Sequence, residues 1–208
     1  LISTTSFYAS HVITAGGIGG MVMFNNVEQY KRALMFRDWG RIGDNVEEPS
    51  ERFNHSVDGI PYDWKFLYGV AGYHLKACEM NAAFGLVQLD KLEGFLKTRR
   101  QLVERYLENL KDCSYYTLPD DSKKPNWLAI PLQCTDRLGI VKYLEENDVQ
   151  TRVTFAGNIT RHPAFREFKQ EFENADTIMK NGFLLGARHG MTLDDVDRVC
   201  NLLKKFAK

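Results

Sequence analysis

The sequence predicts an α/β protein built in two parts, and three observations support that. Short apolar segments bounded by glycine stand near its start, a helical apolar repeat fills its middle, and strand and helix patterns alternate from there to the end. With 208 residues, 44% of them apolar, the chain can bury one good core or two small ones.

Taken in order, Thr4 to Tyr8 and Gly20 to Phe24 are β-branched or apolar and flanked by glycine, which predicts neighbouring buried strands. Asn25 and Asn26 are suited to cap a helix from Val27 to Trp39. Residues 40–59 are polar and rich in turn formers, an irregular excursion of the kind that often carries function. Between Met80 and Leu110, the positions Ala82, Leu86, Leu89, Leu92, Leu96, Val103, Tyr106 and Leu110 recur at near-helical spacing. They predict one long helix, or two with a bend around Gly94.

Pro119 to Pro125 is a charged turn. After it come a strand from Trp127 to Leu132, a helix from Arg137 to Glu146 and a strand from Thr151 to Phe155. A helix from Asn174 to Lys180, a strand from Phe183 to Ala187 and a helix from Leu193 to Phe206, capped by Thr192, complete the pattern. The expected division is residues 1–110, a large-domain portion with a long connecting helix, and residues 111–208, a small α/β domain.

Charge excludes some partners. Lys and Arg total 27 and Asp and Glu total 27, so no net field favours nucleic acid or a membrane surface. The uncharged run from Val12 to Asn26 is interrupted by glycine and too short to span a bilayer. No charged-then-apolar leader is recognisable, and a cytoplasmic location is expected. Cys78, Cys113, Cys134 and Cys200 lack C-x-x-C spacing and are expected as buried, reduced thiols. Neither zinc-type ligand spacing nor a nucleophile–His–acid triad is present, so no metal ligand is assigned.

The most informative stretch is Ser6-Phe7-Tyr8-Ala9-Ser10-His11-Val12-Ile13-Thr14, which runs into Gly16-Gly17-Ile18-Gly19-Gly20. These glycines lack G-x-G-x-x-G spacing and precede a strand, so close backbone packing suits them better than dinucleotide binding. Three further blocks follow: Phe36-Arg37-Asp38-Trp39-Gly40-Arg41, then Gly72-Tyr73-His74-Leu75-Lys76 continuing to Ala83, then Gln150-Thr151-Arg152 with Phe155-Ala156-Gly157-Asn158. In type and order these blocks resemble the DegT-type sugar aminotransferases, which are fold-type-I pyridoxal phosphate (PLP) proteins. Within them the chain is most similar to the lysine-less branch, the PLP- or pyridoxamine phosphate (PMP)-dependent NDP-4-keto-6-deoxyhexose 3-dehydratases.

The resemblance implies an α/β, aspartate aminotransferase-like fold and a lyase acting on a nucleotide-linked keto-sugar as a homodimer. His11 stands five residues after Ser6, where most of that superfamily carries the lysine that binds PLP covalently. An imidazole moves a proton but cannot hold the aldehyde, which points away from ordinary transamination. By the same resemblance Ser6 contacts the cofactor phosphate and His74 reaches the cofactor of the neighbouring subunit. Arg152 and Asn158 line the sugar-nucleotide cleft, where arginine suits a diphosphate.

The chain departs from the family pattern at Ile18, where an acid is usual, and at His74, where asparagine is usual. The CDP-linked members hold an iron–sulfur cluster on cysteines after the Arg-Asp-Trp-Gly-Arg block. Here Ile42 to Glu48 contains no thiol, so no iron–sulfur cluster is expected. Family members also carry a longer N-terminal portion with the ring that stacks on PLP and the Asp that pairs with its pyridine nitrogen. The expectation is therefore a C-terminal half. A DegT-type aminotransferase with an atypical site, and a non-catalytic binding protein of the same fold, remain as alternatives.

Overall fold

In the computed structural model, which describes residues 1–43 and 47–208, the chain divides into units 1–90 and 91–208. The first opens with β1, Ile2–Ser6, and β2, Gly20–Phe24, paired antiparallel so that Ile2 faces Phe24 and Ser6 faces Gly20. The two strands are neighbours as expected, but they are exposed rather than buried, Met21 at 52%. Apolar composition marks a strand that gains from cover. Cover needs a second layer, and among the described residues only the Phe24 end of the ribbon gains any, from Tyr30 of the following helix.

Helix α1, Val27–Arg37, starts where Asn26 accepts the Gln29 amide at 2.9 Å. Glu28 in its first turn and Arg37 in its last suit the helix dipole. It stops short of Trp39, whose φ of +62° is not helical. After α2, Pro49–Arg52, the stretch 40–59 expected to be irregular also holds β3, His55–Val57, which pairs in a hairpin with β4, Ile60–Tyr62, just beyond it. Asp58 and Gly59 turn it, with φ of +51° and +81°. An Asp-Gly pair between β-forming residues is a strong hairpin signal, and it was legible in the sequence. Helix α3, Glu79–Asp90, closes the unit.

In the second unit α4, Leu92–Leu110, is followed by β5, Ala129–Gln133, and α5, Arg137–Glu146. Next come β6, Arg152–Val153, α6, Glu173–Asn181, β7, Gly182–Gly186, and α7, Leu193–Phe206. The sheet is antiparallel in the order β5-β7-β6, with Leu185 opposite Ile130 and Leu184 opposite Arg152. The helical repeat is broken at Lys91, while Gly94 lies within the first turn of α4. β6 has two residues instead of the five expected, since Phe155 takes a φ of +47° and cannot extend a strand.

The chain's main apolar core lies here. Leu102, Val103, Tyr106 and Leu110 of α4 pack with Ile130 and Leu132 of β5, Phe183 and Leu185 of β7, and Val196, Val199 and Leu203 of α7. The helix assigned from sequence to the first part therefore packs in the second, which moves the division from 110/111 to 90/91. Arg105 and Asn109 of α4 both donate to the Asp197 carboxylate of α7, at 2.6–2.7 Å, tying the two helices together. Cys134 and Cys200 are buried, and burial pushes both thiols up to about 11, whereas Cys78 is exposed, contrary to expectation.

Thr192 caps α7 in a reciprocal box with Asp195, each side chain bonded to the other's amide. Thr192→Ala is expected to cost about 1 kcal/mol in denaturant unfolding, because it leaves the Asp195 amide without its acceptor.

Candidate active site

The link between β1 and β2 is a tightly bonded turn. The His11 amide donates to the Tyr8 carbonyl at 3.0 Å, closing residues 8–11 into a single turn, and the Tyr8 and His11 rings meet edge to face at 6.5 Å. The Tyr8 amide in turn donates to Ser6 Oγ at 3.2 Å. Ser6 thus fixes the chain entering the turn that presents His11. Ser6 is exposed and His11 half-buried.

The far side of the turn is locked as well. Phe7 O accepts from the Ala15 amide at 3.2 Å and from Thr14 Oγ1 at 2.8 Å, while Thr14 Oγ1 accepts the Gly17 amide at 2.8 Å. Asn81 of α3 donates to the Ala15 carbonyl at 2.6 Å. Gly16 has a φ of +70°, and a Cβ there would come within 2.8 Å of Asn81 Nδ2. Close packing thus accounts for Gly16 and for Gly20, whose Cβ would lie 2.7 Å from Thr5 O, while Gly19 has nothing within 4 Å. Asn81 lies in the block that begins at Gly72, so this block supports the loop carrying His11 across a separation of 66 residues.

A second cluster joins the other two motif blocks of this unit. Trp39 donates its amide to the Tyr73 carbonyl at 2.8 Å, Tyr73 donates to Phe36 O at 2.7 Å, and Leu75 donates to Arg37 O at 3.0 Å. Here His74 stacks on Trp39, ring centroids 4.5 Å apart and planes 8° from parallel. Asp38, only 4% exposed, takes a bidentate pair from Arg37 at 2.8–2.9 Å, and Lys76 Nζ lies 3.8 Å from its carboxylate. Lys76 also sits 5.5 Å, and the Arg41 guanidinium 5.0 Å, from the Trp39 ring centre. His74 is exposed at the edge of this cationic, aromatic group. Trp39 and Asn81 were not singled out from sequence, although both lie inside the motif blocks.

In the second unit Arg152 is exposed and donates Nη1 to its neighbour's carbonyl, Thr151 O, at 2.6 Å. Asn158 is 2% exposed. Its amide nitrogen donates to Gln170 O at 2.9 Å and to Asp176 at 2.8 Å, and its oxygen accepts the Thr160 amide and hydroxyl at 3.1 and 2.7 Å. That exhausts its donors and acceptors. The side chain of Asn158 is thus fully engaged within the loop and braces the segment that follows Arg152. Arg161 and Asn158 together hold the Asp176 carboxyl well below the usual carboxylate range. Among the described residues no group of three or more His, Cys, Asp or Glu is placed to hold a metal ion. Within the block Ile42 to Glu48, residues 44–46 lie outside the described residues.

Gly40 is where the second cluster is most constrained. Its φ is +92°, and a Cβ there would lie 1.9 Å from Val70 O. Gly59, at φ +81°, has nothing within 4 Å of its Cβ position. Gly40→Ala is expected to destabilise the protein by about 1–3 kcal/mol more than Gly59→Ala, measured by denaturant unfolding. Equal effects would show that the approach of the two motif blocks is not tight.

Comparison with known proteins places this geometry. The model of the DegT/DnrJ/EryC1/StrS aminotransferase family matches residues 1–204. The chain is 35% identical over 225 aligned positions to the lipopolysaccharide biosynthesis protein RfbH of Salmonella typhimurium, covering 99% of this chain and 51% of that protein. It is 32% identical to the dTDP-4-dehydro-2,6-dideoxy-D-glucose 3-dehydratase of Saccharopolyspora spinosa, covering 99% of this chain and 48% of that one. The chain thus spans about half the length of the curated relatives it matches. Among solved structures, GDP-4-keto-6-deoxy-D-mannose-3-dehydratase of E. coli with bound hydrated PLP superposes with a TM-score of 0.84 at 22% identity, over 98% of this chain and 54% of that one. An aminotransferase from Brucella abortus gives 0.82 at 16% identity, over 99% of this chain and 51% of that one. The α/β fold is that of the PLP-dependent DegT proteins, as the motif blocks imply. The chain belongs to the DegT/DnrJ/EryC1/StrS aminotransferase family.

Proposed function

We propose that this chain is the part of a PLP- or PMP-dependent lyase that carries its catalytic base, and that the enzyme removes the C3 hydroxyl of a nucleotide-linked 4-keto-6-deoxyhexose. The observation that carries this reading is an imidazole, His11, on a hydrogen-bonded turn anchored by Ser6. The expected lysine is absent from that turn. Similarity to proteins named as 3-dehydratases, in S. spinosa and in E. coli, supports it.

The residues present fit the cofactor. Ser6 Oγ accepts the Tyr8 amide, which leaves its own proton free for a phosphate oxygen. The positive-φ glycines Gly16, Gly17 and Gly19 keep the facing backbone bare of side chains. When bound, the cofactor supplies an electron sink. With the cofactor bound, His11 would be the group that takes a proton at its C4′ carbon, presented from a hydrogen-bonded turn. His74, held flat against Trp39, offers its ring nitrogens to the phosphate of the second subunit of a homodimer. Arg152 draws the substrate diphosphate, and Asn158 acts only by fixing the loop beside it. The enzyme works in the cytoplasm, in deoxysugar biosynthesis. No helix among the described residues is long and apolar enough to cross a membrane.

A second reading, a sugar aminotransferase, is favoured by 25% identity to GDP-perosamine synthase of Escherichia coli. Borohydride treatment with PLP separates the two. At equimolar PLP, native protein is expected to yield no stoichiometric adduct on a single residue, whereas His11→Lys is expected to yield PLP fixed on residue 11, read by peptide mass. A stoichiometric native adduct on one lysine, above the scattered labelling of exposed amines, would favour the aminotransferase. A second measurement concerns metal. Anaerobically prepared protein is expected to contain less than stoichiometric iron and acid-labile sulfide, and two irons per chain would reinstate a cluster.

A further inference from the structure

The loop 153–158 holds an aromatic residue in a conformation that its own packing does not explain. Phe155 has a φ of +47°, in the left-handed region where a bulky side chain is disfavoured, yet the residue is 73% exposed. Burial of the ring therefore does not offset the strain.

The surrounding loop is held from several sides. The Phe155 amide donates to Val153 O at 2.7 Å, and His162 Nε2 lies 2.8 Å from Ala156 O. Gly157 packs so near α6 that a Cβ there would lie 2.4 Å from Met179 Cβ. Asn158, buried with every donor and acceptor used, anchors the far end. The result is a flat apolar ring on a rigid base, three positions from the exposed cation Arg152.

We infer that Phe155 is the stacking platform for the base of a nucleoside diphosphate, with Arg152 drawing the diphosphate. The inference rests on the nucleotide-sugar reading above and adds the residue that holds the base. An aromatic face accepts any planar base, and a loop whose backbone is already held loses little freedom on binding.

The test is calorimetric titration of this chain with GDP, CDP, dTDP and inorganic pyrophosphate, for native protein, Phe155→Gly and Phe155→Tyr. At least one nucleoside diphosphate is expected to bind the native chain. Phe155→Gly is expected to weaken it roughly tenfold to a hundredfold and to leave pyrophosphate unchanged, while Phe155→Tyr keeps most of the affinity. The melting temperature of Phe155→Gly should hold or rise, because glycine adopts this φ freely. A lower melting temperature with unchanged nucleotide affinity would make Phe155 a structural residue and overturn the inference. Should Phe155→Gly bind as well as native protein, this inference fails alone. If the native chain binds none of the nucleotides, it and the nucleotide-sugar reading fail together.

Discussion

The first unit depends on one close approach of backbone to backbone, between Gly40 and Gly72. A Cβ on Gly72 would sit 2.1 Å from Gly40 N, and one on Gly40 would meet Val70 O at 1.9 Å. Neither position has room for any side chain. That contact lets residues 36–41 hydrogen-bond along residues 69–75 and sets His74 flat on Trp39. Asn81, a little further along the same block, reaches the loop that carries His11. Three motif blocks far apart in sequence thus act as one assembly.

Within that assembly the chemistry at position 11 follows from side-chain type and from how the turn is built. Lysine would bring a flexible amine able to bond covalently to an aldehyde, whereas histidine brings a short, rigid ring able only to transfer a proton. The turn suits the second role. Its backbone bonds to Tyr8 and, through Tyr8, to Ser6 fix the main chain from which the imidazole projects. Proton transfer depends steeply on position, so a base on a fixed turn is better placed than one on a mobile loop.

The second unit rests on a different principle. Its core is a continuous apolar cluster with α4 and α7 packed against the sheet and joined at their surface by Asp197. Arg99, 3% exposed, gives Nη1 to three carbonyls, of Trp127, Leu128 and Ala187, and so stitches α4 to the segments around β5 and β7. Burial lowers its pKa, the expected direction for a cation removed from water without a charged partner. The strained loop 153–158 is held separately, by His162, by the close approach of Gly157 to Met179 of α6 and by the Asn158 side chain.

Much of this was legible in the residues alone. Local chemistry determined the Asn26 and Thr192 caps and the extents of α5 and α7, because each depends on neighbours within a few positions, and the glycine-bounded apolar segments marked β1 and β2 as neighbours. The motif blocks determined the family and singled out Ser6 and His11. Tertiary structure alone decided which unit owns α4, since an amphipathic helix shows that it has a buried face but not what it packs against. It also decided that the Asn158 side chain anchors its own loop, because hydrogen-bond saturation is a property of surroundings and not of residue type. The exposure of β1 and β2, and the strain at Phe155, belong to the same class. Apolar character and spacing state what a residue favours. Only the packed chain shows what surrounds it.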